Sequence, residues 1–155
     1  MSRTYRLEIC ETPETAGLYQ NQDFPDDHEN AGYDLFIPVD TIIAPGEHIL
    51  VKLGISARLV CTQTLNDVHF WLLPRSSIYK SNLVMMNSMG LIDRGYRGEL
   101  GAPLHNLSNT PVSLSRQQRL MQIASPDLGN ITQVRVVKNL PETRRGIGGF
   151  GSTGK

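Results

Sequence analysis

The sequence ILVKLGIS, residues 49–56, places an apolar side chain at every second position. A period of two is typical of a β-strand that buries one of its faces. The same alternation occurs over residues 5–9 and 134–136, and the run 68–73, apolar except for His69, indicates a more deeply buried strand. Strands of this kind predict an all-β fold.

Proline and glycine interrupt these runs at short intervals and indicate many turns between short strands. This spacing is typical of a sandwich, a jelly roll or a small barrel. Helix signals are scarce; the best candidate is SSIYKS, residues 76–81, where we expect a serine to cap the first turn. The interrupting residues are Pro38, Pro45, Gly46, Pro74, Gly90, Gly95, Gly98, Pro111, Pro126, Gly129 and Pro141.

The length and composition of the chain indicate a single domain with a reduced pair of cysteines. Its 155 residues suit one domain, and 39% of them are hydrophobic, which is too many for a disordered chain. No run approaches the ~18 apolar residues of a membrane span, and residues 1–15 lack the apolar core of a secretion signal. We therefore expect an intracellular protein, cytoplasmic or nuclear and without membrane contact, in which Cys10 and Cys61 are free thiols.

The net charge is zero, but the two halves of the chain carry opposite charges. Residues 1–70 have 4 basic and 11 acidic side chains, whereas residues 71–155 have 11 basic and 4 acidic ones. Either the halves interleave in the fold and the asymmetry has no meaning, or the second half binds an anion. Nucleic acid is not expected as a partner, because only 6% of the residues are aromatic and the basic residues form no dense cluster.

The C-terminal segment is rich in glycine and offers almost no apolar surface. For this reason we do not expect residues 139–155 to fold back on their own chain. The compact domain is predicted over residues 1–140, followed by a flexible C-terminal arm over residues 141–155.

Two functional interpretations of this arm compete with that of a disordered terminus. The spacing G-x-x-x-x-G-K occurs at residues 149–155, but a Walker phosphate loop needs a helix after the lysine, and no helix is expected after Lys155. Alternatively, the arm is a set of phosphate donors, because Arg145 and the glycine amides suit phosphate oxygens. Phe150 would then stack on a planar ligand.

Three features of the segment 74–99 look structural when each is considered alone. Asp93 lies between two glycines, where an Asx turn is the usual explanation. The triplet RSS at 75–77 suits a solvated turn with a helix cap, and Asn87 is a common turn residue. Only their combination with the rest of the sequence points to chemistry.

Five motifs in order resemble those of the trimeric dUTP diphosphatase (dUTPase) family and span most of the chain. They are AGYDL at 31–35, PRSS at 74–77, GLIDRGYRGEL at 90–100, RLMQI at 119–123 and RGIGGFGSTG at 145–154. The third is near-complete and the fifth complete, and together they make the resemblance specific.

The resemblance implies a distorted β-barrel of jelly-roll type with one short helix, assembled as a homotrimer whose active sites are shared between subunits. It implies hydrolysis of dUTP to dUMP and pyrophosphate by attack of water on the α-phosphorus, which keeps uracil out of DNA and supplies dUMP for thymidylate synthesis. The implied cofactor is Mg²⁺, held by the triphosphate and not directly by the protein, with Asp34 near it through water.

The resemblance also assigns roles to individual residues. Asp93 is implied as the catalytic general base that orients and deprotonates the attacking water. The Tyr96 ring is expected to pack on the deoxyribose and exclude a 2′-hydroxyl, and Asn87 is expected to pair with uracil from a short hairpin. Phe150 is expected to stack on the base when the arm closes, and Arg145 to reach the γ-phosphate. The implied substrate-binding residues are Arg75, Ser76, Ser77, Asn87, Gly90, Ile92, Tyr96, Gln122, Arg145, Gly149, Phe150, Gly151, Ser152 and Thr153.

Departures from the family pattern occur at Ser77, where glycine is usual, and at Gln117 and Gln118, where glycine and an acidic residue are usual. A rival of the same fold, dCTP deaminase, has its catalytic glutamate where this chain has Pro103, and proline cannot transfer a proton. A nucleotide-binding regulator without turnover conflicts with the intact third and fifth motifs. A structural β-domain accounts for the core but not for five ordered motifs.

Overall fold

The computed structural model describes residues 2–149, in which almost all regular structure is β-strand. The helices of this part are short 3₁₀ helices at Pro13–Thr15 and Ser76–Ser81. The all-β prediction is thereby confirmed. The strands are β1 (Tyr5–Glu11), β2 (Gln22–Asp23), β3 (Tyr33–Phe36), β4 (Thr41–Ile43), β5 (His48–Lys52), β6 (Ile55–Cys61), β7 (Asp67–Val68), β8 (Phe70–Pro74), β9 (Leu83–Met85), β10 (Gly90–Ile92), β11 (Gly101–Asn106), β12 (Val112–Leu114), β13 (Arg119–Ala124) and β14 (Ile131–Val136).

Within the described residues these strands form four sheets. The largest has the strand order β2-β14-β1-β6-β7, and a second has the order β10-β8-β13-β3. The smaller sheets are β5-β11-β9 and β12-β4. Strands β1 and β14 run parallel, with Leu7 opposite Val134, whereas β1 and β6 are antiparallel. Strand β1 therefore lies in the middle of the largest sheet, between two strands that are distant in sequence.

Strand β1 confirms the alternation predicted for this part of the chain. Tyr5, Leu7 and Ile9 are at most 1% exposed and belong to the hydrophobic core. Full burial of a leucine or isoleucine side chain contributes about 1.5–3 kcal/mol. Glu8, on the opposite face, is also covered, because Arg58 donates hydrogen bonds of 2.8 and 3.2 Å to its carboxylate. Both faces of this strand are thus shielded from water.

Two stretches predicted as single strands are each divided between two sheets. Residues 49–56 break at Gly54, whose φ of 72° favours glycine, so β5 pairs with β11 and β6 pairs with β1. Residues 68–73 break at His69, so β7 pairs with β6, whereas β8 pairs with β10 and β13. The single-strand predictions are wrong because periodicity within a strand carries no information about a switch from one sheet to the next.

The segment 76–81 is helical, as predicted, but its first turn has no serine cap. Arg75 occupies the N-cap position with an extended backbone and makes no side-chain capping hydrogen bond. Its carbonyl accepts the Ile78 N–H at 3.0 Å, and its own N–H donates to the Leu120 carbonyl at 2.8 Å. The expected serine cap is wrong because the Arg75 carbonyl closes the turn, and Arg75 is held where strand β8 passes into the helix.

The state of the cysteines agrees with the expectation of free thiols. Cys10 and Cys61 are both free. The longest helix among residues 2–149 has six residues, and no helix there is long and apolar enough to cross a membrane.

Candidate active site

Two clefts contain most of the described residues that the sequence predicts for substrate binding. The first, of about 860 Å³, is called here the arginine cleft and is lined by part of the segment 22–33 and by Asp34, Phe36, Arg75, Ser76, Arg119, Gln122 and Ile131. The second, of about 210 Å³, is called the aspartate cleft and is lined by Leu72, Asn87, Gly90, Leu91, Ile92, Asp93, Tyr96, Gly101, Arg145 and Gly149. Among the residues that the structure describes, none lines both clefts, and Ser77 lines neither.

A shared carboxylate holds the cations of the arginine cleft. Asp34 Oδ1 lies 3.1 Å from Arg75 Nε, and Asp34 Oδ2 lies 3.7 Å from Arg119 Nη1. Arg75 Nη1 also donates to the Arg119 carbonyl at 3.0 Å. This cluster of two guanidinium groups and one carboxylate carries a net positive charge, which suits an anionic ligand, although Glu29 also lines the cleft. The cluster combines two basic residues from the second half of the chain with one acidic residue from the first half.

Gln122 shows why a glycine precedes Asp34 in the AGYDL motif. Gln122 donates from Nε2 to the Pro74 carbonyl at 3.2 Å, so its amide lies close to the cleft. A Cβ atom on Gly32 would overlap Oε1 of the same side chain. Glycine at position 32 therefore leaves the space that the Gln122 amide occupies beside Ser76.

The acidic stretch over residues 11–30, for which the sequence predicted no role, contributes part of residues 22–30 to one wall of the arginine cleft. Gln22, Phe24, His28 and Glu29 all line it. The Tyr33 hydroxyl donates to Gln22 Oε1 at 3.3 Å and joins this wall to strand β3. Nothing in the sequence pattern placed the segment here, because its position depends on the pairing of β2 with β14.

Asp93 follows strand β10, lines the aspartate cleft and has two charged or polar neighbours. Arg145 Nη1 contacts Asp93 Oδ2 at 2.7 Å, and His69 Nδ1 lies 3.9 Å from Asp93 Oδ1. The Asp93 side chain is 45% exposed, so water reaches its carboxylate. Arg145, expected at a γ-phosphate, here rests on the carboxylate expected to be the base.

Tyr96 forms a packed wall of the same cleft. Its ring is 9% exposed, and its hydroxyl donates to the Glu99 carbonyl at 2.9 Å. Burial, followed by the Glu99 charge, raises the pKa of the Tyr96 hydroxyl, which remains a neutral donor at physiological pH. A Cβ on Gly98 would overlap the phenol oxygen, and one on Gly149 would lie 2.8 Å from the ring, so both glycines permit close packing.

Asn87 lies in a connection between two sheets and not in a hairpin. It follows β9, which pairs with β11, and precedes β10, which pairs with β8. The prediction of a hairpin is wrong because β9 and β10, although adjacent in sequence, belong to different sheets. Asn87 still lines the aspartate cleft together with Gly90 and Ile92, as predicted for a group of substrate-binding residues.

The segment 141–149 lies against the turn that carries Asp93 in the same chain. Arg97 donates from Nε to the Pro141 carbonyl at 2.7 Å and from its backbone N–H to the Gly146 carbonyl at 2.6 Å. The Thr143 hydroxyl donates to the Gly95 carbonyl. The expectation that this part of the arm does not fold back is wrong, because backbone and arginine hydrogen bonds hold it in place of apolar contacts. Phe150, Gly151, Ser152 and Thr153 lie outside the described residues.

The register of the second sheet separates the two clefts within one chain. Gln122 in β13 pairs with Asp34 in β3 on one side and with Leu73 in β8 on the other, so Asp34 and Leu73 lie at the same level of the sheet. Asp93 follows Ile92, which lies opposite Phe70 at the start of β8. The two aspartates thus differ by four positions along β8 and by three strand spacings across the sheet. At ~3.3 Å per residue and ~4.8 Å per spacing, their Cα atoms are about 19 Å apart.

Arg119, which lines the arginine cleft, and His69, which lies beside Asp93, were not selected from the sequence. Arg119 opens the fourth motif, so its position was available from the sequence, although only Gln122 of that motif was assigned a role. His69 was visible only as the polar interruption of an apolar run. Its neighbour Asp93 is 24 residues away in the chain, and only the β8–β10 register brings the two together.

Arginine and glycine residues line the two clefts of this all-β fold, and this combination is typical of proteins that bind a phosphorylated ligand. The family model described as dUTPase matches residues 24–154, and the chain belongs to this family. A curated relative from Clostridium tetani, named deoxyuridine 5′-triphosphate nucleotidohydrolase, is 38% identical over 153 residues, covering 97% of this chain and 98% of the relative. A relative of the same name from Nocardia farcinica is 39% identical over 127 residues, covering 81% and 73%.

Solved structures confirm the jelly-roll type of fold. The dUTPase from Streptococcus mutans matches with a TM-score of 0.55 and 29% identity, covering 66% of this chain and 81% of that one. A mutant dUTPase from phage phi11 of S. aureus, described for its coordination of a structural Mg(II) ion, matches with a TM-score of 0.59 and 19% identity, covering 76% and 88%. At that identity the phage protein supports the fold alone.

Proposed function

We propose that this chain hydrolyses dUTP to dUMP and pyrophosphate in a site that combines the arginine cleft of one subunit with the aspartate cleft of another. The reaction is that of the dUTPase family, to which the chain belongs. It removes dUTP as a source of uracil in DNA and provides dUMP for thymidylate synthesis. The assembly of the site rests on one observation, the register of the second sheet, from which Asp34 and Asp93 of a single chain are estimated to lie about 19 Å apart.

This separation matters because a general base acts only at short range. A base must lie within about 3 Å of the water that it deprotonates, and that water must lie next to the phosphorus atom. Phosphates bound between Arg75 and Gln122 therefore lie beyond the reach of Asp93 in the same chain. A closed head-to-tail ring brings unlike clefts together at each interface, and in the homotrimer that the family resemblance implies it would produce three equal sites.

In this combined site Asp93 is the general base. The oxygen of a water molecule attacks the α-phosphorus while a proton passes to the Asp93 carboxylate. The bond from the α-phosphorus to the bridging oxygen breaks, and pyrophosphate leaves with the electron pair. Arg145 contacts Asp93 at 2.7 Å, so a triphosphate that attracts Arg145 would also release the carboxylate of the base.

The arginine cleft holds the phosphates. Arg75 and Gln122 supply donors, and Ser76 lies at the exposed start of the 3₁₀ helix. Asn87, Gly90 and Tyr96 line the other cleft, which supports their proposed role as the binding surface for the base and sugar. In this proposal the Tyr96 ring packs on the deoxyribose and excludes a 2′-hydroxyl. Selection of deoxyuridine over uridine nucleotides follows from this packing.

The residues of the arginine cleft fit Mg²⁺ that is carried mainly by the phosphates. Both oxygens of Asp34 already face guanidinium groups, which suits contact with a hydrated ion through water and not direct ligation. Residues 2–149 contain no cluster of three acidic, histidine or cysteine side chains. Mg²⁺ bound to the triphosphate would neutralise phosphate charge during the reaction.

Complementation between two inactive chains tests the shared site. Asp93→Asn disables only the aspartate cleft, and Arg75→Ala disables only the arginine cleft. After unfolding, equal mixing and refolding, about a quarter of the sites receive two intact clefts, because each site draws its two halves from different chains. We expect about a quarter of the wild-type rate of pyrophosphate release from dUTP.

The double variant Asp93→Asn/Arg75→Ala, mixed equally with wild-type chain, is the matched control. Shared sites predict about a quarter of the wild-type rate, whereas self-contained sites predict about half. No recovery with the two single variants, together with half activity in the control, would show that each chain contains its own site. Lack of dUTP hydrolysis by the wild-type chain would contradict the proposed reaction itself.

A further inference from the structure

His69 is the cross-strand neighbour of the base. Ile92 lies opposite Phe70, so the residue after Ile92 and the residue before Phe70 lie side by side where the β8–β10 pairing ends. Asp93 and His69 occupy these positions. Strand β7 ends before His69 and β8 begins after it, so His69 occupies the break between two strands that pair with different partners.

The His69 ring makes a hydrogen bond to the backbone next to Asp93. Its Nδ1 accepts the N–H of Arg94 at 2.9 Å. That N–H belongs to the peptide group that joins Asp93 to Arg94, so the hydrogen bond fixes the plane of this peptide. The same Nδ1 is 3.9 Å from Asp93 Oδ1, too far for a hydrogen bond. His69 therefore contacts the backbone that carries the base and not the carboxylate itself.

We propose that His69 is a positioning residue for Asp93, which it orients by accepting the Arg94 N–H. The proposal rests on the proposed function, because it requires Asp93 to be the base. The His69 side chain is 54% exposed, so its removal leaves no hole in the core. Without this acceptor the turn can rotate, and a displacement of about 1 Å of a reacting group costs up to about a hundredfold in rate. Since an N–H donates only to an unprotonated ring nitrogen, the neutral imidazole carries its proton on Nε2.

Two substitutions at position 69 separate the hydrogen bond from the bulk of the ring. Leucine in His69→Leu fills similar space without an acceptor. Asparagine in His69→Asn places a carbonyl oxygen close to the position of Nδ1. We expect His69→Leu to lower kcat by about tenfold or more with KM within about threefold, and His69→Asn to keep kcat within about threefold of wild type. Wild-type kcat in His69→Leu, or an equal loss in both variants, would overturn the proposal.

A double-mutant cycle tests whether His69 acts through Asp93. The substitution His69→Leu should have no further effect on the residual rate of an Asp93→Asn chain, because the base that it positions is already absent. An additional tenfold loss in that background would overturn the proposal. Thermal unfolding and binding of dUMP show whether each variant is folded, and His69→Ala replaces His69→Leu if the latter does not fold.

The outcomes separate this proposal from the proposed function. If wild type hydrolyses dUTP and Asp93→Asn does not, the base is established. The comparison of His69→Leu with His69→Asn then tests only the positioning role of His69. If Asp93→Asn keeps its activity, the base assignment fails and the role of His69 fails with it.

Discussion

Substituting lysine for Arg97 should destabilise the fold and release the segment 141–146 at the same time. The Arg97 side chain is 8% exposed. Its guanidinium donates to the carbonyls of Pro141 at 2.7 Å and Arg94 at 3.0 Å. It also contacts Asp67 Oδ2 at 2.9 Å. A lysine ammonium keeps the charge near Asp67, but it lacks the planar fork that reaches several acceptors together.

The size of the effect follows from the hydrogen bonds that lysine cannot make. Each hydrogen bond from a charged donor contributes about 1.5–3 kcal/mol. Because the ammonium recovers part of the loss, we expect the free energy of unfolding to fall by about 2–3 kcal/mol. For a chain of this length 1 kcal/mol corresponds to about 2–4 °C, so Tm should fall by about 5–10 °C.

Thermal unfolding by circular dichroism and limited trypsin digestion measure the two effects. Trypsin cleaves after Arg144 and Arg145 once the segment leaves its position, so Arg97→Lys should be cut faster than wild type. Arg94→Lys is the matched control, because Arg94 lies in the same turn and is exposed. If Arg97→Lys unfolds within about 2 °C of Arg94→Lys and is digested at the same rate, the reasoning is refuted.

Three further predictions concern other parts of the structure. Gly32→Ala should displace the Gln122 amide and raise KM for dUTP about three- to tenfold with little change in kcat, as steady-state kinetics would show. Burial raises the pKa of Glu8, but hydrogen bonds from Arg58 and a second arginine outweigh this effect and hold the pKa below 4.5. The ionised carboxylate therefore stabilises the folded state. The Tm of wild type should exceed that of Glu8→Gln by its full amount above about pH 4.5, and the difference should disappear as the pH falls through the folded-state pKa. Asp93→Asn should lower kcat by about a hundredfold or more. Its Tm should change by no more than a few degrees, because the ion pair with Arg145 is partly exposed and contributes about 0–1 kcal/mol. A rate above a tenth of wild type would show that Asp93 is not the base.

Local patterns in the sequence predicted the type of structure better than its connections. The alternation in β1 correctly indicated a strand, because a period of two reflects burial of one face. The division of residues 49–56 at Gly54 was missed, because a positive φ followed by a change of sheet depends on contacts made elsewhere. The predicted serine cap is wrong for a similar reason, since the backbone of Arg75 already closes the first helical turn.

The candidate site shows the same limit. Motif resemblance named several residues in each cleft, because a motif is defined by the chemistry of individual side chains. The separation of Asp34 from Asp93 depends on the strand order β10-β8-β13-β3, which no local pattern encodes. His69 was missed because its contact with the Asp93 turn also depends on strand register. The boundary of the domain at residue 140 stays a prediction.

The parallel pairing of β1 with β14 has a consequence for how the chain folds during synthesis. Residues 5–11 can pair with β6 early, but their second neighbour consists of residues 131–136, more than a hundred residues later. Until the ribosome has released that segment, β1 is an edge strand with unpaired backbone groups and apolar side chains, which favours association with other nascent chains. The long sequence separation between β1 and β14 also predicts slow folding. The yield of native protein should therefore depend on chaperones that cover the exposed edge of β1.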